Sequence, residues 1–288
     1  MHATAVEKPK ILVIPWGLMA GFLVLLIAAY WPVLTRLAGD WANDDDMGHG
    51  FFVPLVTLYL IWLQRDELAS VEIKPNAWGY LLLAWGGLQL IAATLGAELT
   101  LARGAFVISL VGVLLTTLGW KMLKAMAFPL FLLLFMIPLP ALIYNQITFP
   151  LQILASSVAE TILSFSGIPV LRDGNILELP SQRLSVVEAC SGIRSLLSLT
   201  FLSLVYGTMF DKRPWVKWAL LAGIVPIAIA ANAGRVTITG FISEYDPALT
   251  QGVYHSMEGW VLFSVAVALL VLLHRLLCLS WGRKNVQQ

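Results

Sequence analysis

The chain has 288 residues, of which 59% are hydrophobic and only 12% charged, and its mean hydropathy is +0.82; this lies outside the balance of a soluble domain and points to an all-α polytopic membrane protein. A net charge of +1 with scattered lysines and arginines gives no reason to expect nucleic acid as a partner. Two cysteines, Cys190 and Cys278, rule out a disulfide framework and leave a tetrahedral cysteine metal site unsupported, so neither a metal nor another cofactor is expected.

Apolar runs approaching the roughly 20 residues that a helix needs to cross a bilayer predict about eight spans. They fall near 11–31, 50–64, 77–95, 104–120, 125–143, 192–210, 218–240 and 257–277, as one integral membrane domain over 1–288. The N-terminal MHATAVEKPK has the charge of a secretory signal, but the apolar run after it is too long, so it reads as an uncleaved first span. Between the fifth and sixth spans, 144–167 keeps Ile147, Leu151, Leu154, Val158 and Ile162 at helical spacing, with Gln146, Gln152, Ser156 and Glu160 between them. That pattern predicts an amphipathic helix on the outer membrane surface. After Gly167-Ile168-Pro169, Asp173-Gly174 separates two short apolar-rich runs and predicts a small hairpin-like element. Twelve of the 18 lysines and arginines, among them Lys8, Lys74, Lys121, Arg213 and Arg275, fall in segments this model puts on one side. By the positive-inside rule that side is the cytoplasm, both termini lie in it, and the Asp44 to Asp46 run faces outward.

Three polar constellations then reach the outer side. Cys190 precedes Ser191-Gly192 and an apolar helix, where unpaired N–H groups favour a thiolate, and Arg194 follows one turn on. Asn232 and Arg235 interrupt the seventh span, and a charged residue there needs a cavity, a partner or the interface. His255 stands just ahead of the eighth span, with Glu258 three residues on to orient its imidazole. Taken singly, these are ordinary packing, snorkelling and belt residues. Taken together on one side, a thiol nucleophile, an imidazole that moves its proton and a cation for an oxyanion are the parts of acyl transfer at cysteine.

The segments EACSGIRS at 188–195, NAGRV at 232–236 and HSMEGW at 255–260, with MGHGFFVP at 47–54, resemble those of the exosortases and, more distantly, the archaeosortases. The resemblance runs through nearly the whole chain. It implies that Cys190 is the nucleophile, Arg235 the transition-state cation and His255 the proton-transfer residue, with Glu188, Arg194, Asn232 and Glu258 in supporting or substrate-binding roles. It also implies exported substrates whose C-terminal tail carries a Pro-Glu-Pro-like motif, one transmembrane helix and a basic cluster, cut near the motif and passed to a lipid or glycan acceptor at the surface. Members with an additional soluble C-terminal domain exist; no counterpart is expected in the residues up to Gln288.

Arg194, or Arg172 and Arg183, would meet the acidic residue of such a motif. His49 and Asp44 to Asp46 share the outer side without a metal-binding spacing, and Cys278 reads as a packing residue across the membrane. The competing reading is a non-enzymatic transporter or an assembly scaffold for exopolysaccharide export, with Glu188, Arg194 and Arg235 lining a polar path. Transporters often show inverted repeats with paired broken spans, and no such repeat is visible. A thiol oxidoreductase lacks its resolving cysteine. The topology predicts that a membrane-impermeant thiol reagent added to intact spheroplasts labels Cys190 and spares Cys278; the reverse pattern would invert the orientation.

Overall fold

The computed structural model describes residues 16–186, 193–246 and 253–285. It forms two compact units, one up to Pro138 and one from Leu139. Six described helices are long and apolar enough to cross a membrane, at 17–43, 78–95, 99–118, 141–165, 214–245 and 259–279, with three shorter apolar helices at 47–63, 127–136 and 195–210. The chain is therefore a multi-pass, helical membrane protein.

In the first unit, α1 (Trp16–Asn43) runs through Pro32 and continues well past the expected end of the first span. Its buried residues Leu26, Tyr30, Val33 and Leu37 form one helical stripe, while Val24, Leu25, Ile27 and Trp31 face outward. The extension is anchored by Asp40, which accepts a hydrogen bond from the buried guanidinium of Arg103 on α5 (Leu99–Leu118). A 3₁₀ segment, Asp45–Phe51, leads into α2 (Phe52–Leu63) and the short α3 (Arg65–Ala69). There Trp41 donates to the Met136 carbonyl at 2.9 Å and His49 donates Nε2–H to the Phe135 carbonyl at 3.2 Å.

The helix α4 (Trp78–Leu95) lies against α5 along Gly79, Gly86 and Ala93. Small residues let helix backbones approach closely in lipid, where apolar burial gives no driving force. A Cβ at Gly79 would lie 2.5 Å from the Thr116 backbone nitrogen and 2.7 Å from the Gly112 carbonyl. The Tyr30 hydroxyl closes this seam on the Gly86 carbonyl at 3.1 Å and Ser109 Oγ at 2.8 Å. In the connecting loop Glu72 receives hydrogen bonds from Lys74 at 2.8 Å and Lys121 at 2.9 Å, which lower its pKa to about 2. Two segments that the charge count puts on one side thus lie side by side.

The run expected as a fifth span at 125–143 is divided instead. It holds the end of α6 (Trp120–Ala125), α7 (Ala127–Leu132) and a 3₁₀ turn, Leu133–Met136. Pro138 and Pro140 supply no N–H and bias the residues before them away from helix, so the helix restarts only at α8 (Ala141–Phe165).

In the second unit α8 is a helix of 25 residues that buries Thr148, Gln152, Ala155, Ser156, Ala159 and Leu163 and leaves Ile147, Leu154 and Ile162 exposed. The expected apolar stripe faces outward, and the small and polar stripe turns inward, where its polar groups find partners within the protein. On that stripe sits a three-stranded antiparallel sheet, β1 (Leu171–Asp173), β2 (Ile176–Glu178) and β3 (Arg183–Ser185), in that order. Gly174 begins the two-residue loop between Asp173 and Ile176, and its φ of +63° is the conformation that favours glycine. Asn175 donates to Gln152 Oε1 at 3.0 Å, Ser156 donates to the Gly174 carbonyl at 3.0 Å and Arg172 pairs with Glu160 at 2.7 Å. The three α8 partners lie four residues apart, so each helical turn makes one polar contact with the sheet.

Three helices complete the unit: α9 (Ile193–Phe210), α10 (Pro214–Tyr245) and α11 (Val253–Asn285). Leu199, Leu220, Ile224, Ala228, Ala266 and Leu270 join them in one core. A second core joins α8, the sheet and α10 through Ala155, Ala159, Leu177, Val186, Ala233 and Val236.

Gly79→Ala is expected to destabilise the protein by about 1–3 kcal/mol, because the added methyl meets rigid backbone. Gly87→Ala, with nothing within 4 Å of its Cβ position, is the matched control. Thermal unfolding in detergent measures both, and equal midpoints would contradict the close seam.

Candidate active site

The Asn232–Val236 segment lies between the two cores of the second unit. Ala233 and Val236 pack with the sheet and α8, while Ala228, one turn before Asn232, packs with α9 and α11. Within one stretch of helix, therefore, some residues are locked into cores and two polar ones, Asn232 and Arg235, are held between them.

The Arg235 guanidinium lies over Gly259 of α11. A Cβ there would sit 3.4 Å from Nη2 and 3.5 Å from Cζ, in contact with the cation, and a longer side chain would collide with it. Residue 255 comes four positions earlier on the same helix, one turn away on the same face. The arginine motif and the histidine-bearing helix are thereby brought together.

Asn232 is buried, and its Nδ2 has no hydrogen-bond partner among the described residues. It borders a cavity of about 30 Å³ shared with Leu151 of α8, Leu196 of α9 and Ala228 and Ile229 of α10, room for about one water-sized group. A buried donor without a partner costs about 1–3 kcal/mol, a penalty that a ligand carbonyl at this position would remove.

Glu188 and Cys190 lie outside the described residues, as do the side chains of Arg194, His255 and Glu258. The chain on either side of Cys190 is described. Val186, four residues before it, shares a core with Ala233 and Val236, and Leu196, six residues after it, borders the cavity beside Asn232. Ile193 comes three positions after Cys190, a reach of at most about 11 Å. Both flanks of the cysteine motif therefore bear on the arginine motif. Arg172 and Arg183 are engaged locally, with Glu160 at 2.7 Å and Glu178 at 3.1 Å. His49 is anchored inside the first unit on the Phe135 carbonyl.

At the other ends of the same helices lies a cluster for which sequence reasoning had no place. Asp211, between α9 and α10, accepts from Arg213 Nη2 at 2.6 Å, and this fork holds its carboxyl well below the usual carboxylate range. Cys278, read from sequence as packing, accepts from Arg213 Nη2 at 2.9 Å and lies 3.4 Å from His274 Nε2. Cysteine, histidine and aspartate thus meet, but not as a relay. In a nucleophile–base–orienter chain the two ring nitrogens face different members; here Nε2 faces both Asp211, at 3.2 Å, and Cys278, while Nδ1 faces the Tyr206 hydroxyl at 2.9 Å. The H-x₃-C spacing at 274–278 was visible in the sequence, whereas its third member was not.

A multi-pass membrane protein whose arginine motif on α10 meets the helix that carries residue 255, with the described flanks of Cys190 packed beside that motif, has the layout of a membrane-embedded cysteine enzyme. The family model described as transmembrane exosortase (Exosortase_EpsH) matches residues 41–272, across both units, and the chain belongs to that family: it is a protein-sorting cysteine transpeptidase. No curated protein and no solved structure matches it.

Graded substitution at Gly259 tests the arginine's seat. Gly259→Ala, whose methyl only touches the guanidinium, should change substrate processing little. Gly259→Leu should displace the cation by an ångström or more and slow processing by about 100-fold at unchanged protein level. Equal activity in the two would show that the seat of Arg235 is immaterial.

Proposed function

We propose that Cys190 is the nucleophile that cuts the C-terminal sorting tail of exported proteins, with Arg235 stabilising the oxyanion and His255 carrying the proton. The observation that carries this reading is the seat of the Arg235 guanidinium over Gly259, one turn from His255, beside a segment on which both flanks of Cys190 bear. The Cys190 thiolate attacks the scissile carbonyl carbon next to a Pro-Glu-Pro-like motif and forms the C–S bond. The planar guanidinium donates two N–H groups to the resulting oxyanion. As the C–N bond breaks, the imidazolium of His255 protonates the departing amine, leaving a thioester. An acceptor hydroxyl or amine on a surface lipid or glycan, or water, then gives its proton to His255 and displaces the thiolate. Asn232 donates its Nδ2–H to a substrate carbonyl in the adjoining cavity. Arg194 meets the acidic residue of the motif, since Arg172 and Arg183 already hold partners, and Glu188 and Glu258 orient Arg194 and His255.

In this reading the chain is one integral membrane domain with eight crossings, both termini in the cytoplasm and the reaction at the periplasmic face of the bacterial inner membrane, beside its lipids. A tail anchored by its own helix diffuses in two dimensions and meets the site at a high effective concentration.

The test is processing of a cognate tailed substrate by variants expressed at wild-type level. Cys190→Ala should abolish cleavage, and Cys190→Ser should come close to it, because a hydroxyl is scarcely ionised at neutral pH. Arg235→Lys should fail despite keeping its charge. His255→Ala should slow processing by about 10²- to 10⁴-fold. Normal processing by Cys190→Ala would sink the proposal, and a transport defect confined to the arginine variants would favour a transporter.

A further inference from the structure

Asp211, His274 and Cys278 come from a connecting loop and from one face of α11, and their donor atoms lie within 4.8 Å of one another. We propose that they bind one divalent cation of the zinc class, a staple on the face that the charge count assigns to the cytoplasm. The three donors form a triangle with edges of 3.2 Å (Nε2 to Oδ2), 3.4 Å (Nε2 to Sγ) and 3.8 Å (Sγ to Oδ2). Zinc bonds of about 2.0 Å to nitrogen or oxygen and about 2.3 Å to sulfur, at tetrahedral angles, span edges of about 3.3–3.6 Å. The edges of 3.2, 3.4 and 3.8 Å lie within about 0.2 Å of that range, so small side-chain adjustments turn the triangle into one face of such a tetrahedron.

The outer contacts fit the same use. If the Tyr206 hydroxyl, 2.9 Å from Nδ1, accepts the Nδ1–H of His274, the Nε2 lone pair turns to the ion, the usual second contact of a metal-bound histidine. Asp211 Oδ1 is held by the Arg213 backbone N–H at 2.8 Å and by its Nε–H at 3.0 Å, while Oδ2, which also accepts from Nε at 3.2 Å, is the oxygen that faces His274 and Cys278. Asp211 and His274 are largely shielded, with side chains 5% and 12% exposed. His274 and Cys278, four residues apart on α11, present their donors on one face without rearrangement.

Arg213 Nη2 is the competitor, 2.6 Å from Oδ2 and 2.9 Å from Sγ. Its side chain is 35% exposed and its Cζ lies 5.6 Å from the Trp215 ring. The end of the guanidinium therefore has solvent and an aromatic face to turn to while Nε stays on Oδ1. A mixed thiolate, imidazole and carboxylate set favours zinc over magnesium or calcium, which prefer oxygen. Cys278 ligates as the thiolate, so binding releases its proton.

Cobalt(II) is the probe, added to chelator-treated full-length protein in detergent. The wild type and Cys190→Ala should each bind one equivalent, show a sulfur-to-cobalt charge-transfer band in the near ultraviolet and lose it when zinc is added. Cys278→Ser should lack the band, and Tyr206→Phe should bind about 10- to 100-fold more weakly. No band in the wild type would mean that Cys278 is paired with Arg213 alone, and would overturn the proposal without any variant having to fold. A band undiminished in Cys278→Ser would overturn it equally.

Discussion

Hydrocarbon offers no hydrogen bonds, so a polar side chain within a span has to find its partner inside the protein. Much of what is specific in this fold follows from that constraint. Tyr30 closes the α4–α5 seam on Ser109 and a carbonyl; Gln152, Ser156 and Glu160 hold the sheet on α8. Apolar contacts fill the cores but do not distinguish one face of a helix from another in lipid, so the polar pairs set the rotation of each helix. At the candidate site Asn232 departs from this: its Nδ2 is buried without a partner among the described residues, in the segment that also carries Arg235.

The helical membrane class, most of the long helices and the motifs of the family were legible in the sequence because they are local: hydropathy runs, helix starts and short motifs need no knowledge of the fold. What covers the polar side of α8 was not. Gln152, Ser156 and Glu160 were visible between its apolar residues, but not the sheet and its turn that take them as partners. Pro138 and Pro140 were visible, but the run 125–143 is apolar enough to mask the break they cause. The third strand of the sheet has only three residues, Arg183–Ser185, too few to show alternation. Asp211 pairs with His274 at a separation of 63 positions, and no periodicity carries information over that distance.

The candidate site was read in sequence as three separate constellations made plausible by a shared side. Gly259 could not be singled out in the same way, because a glycine in an apolar helix is common. Its significance appears only when the Arg235 guanidinium is found in van der Waals range of the position a Cβ would take, so that a side chain larger than a methyl would meet the cation. The role proposed for Arg235, transition-state stabilisation, depends on donors that are already in place when charge develops. A guanidinium lodged between two helices, its segment fixed by cores on both sides, gains that placement from packing before any substrate arrives.

The ion pair between Asp40 and Arg103 bears on how the protein is made. Arg103 leaves the ribosome 63 residues after Asp40, and at about 5–20 residues per second the delay is roughly 3 to 13 seconds. During that interval the end of α1 carries a carboxylate with no cation from α5 to meet it. The first helix can enter the membrane early, but its last turns settle only when α5 has followed. Biogenesis of the first unit therefore has a required order, with α1 waiting for a partner that the ribosome has yet to supply.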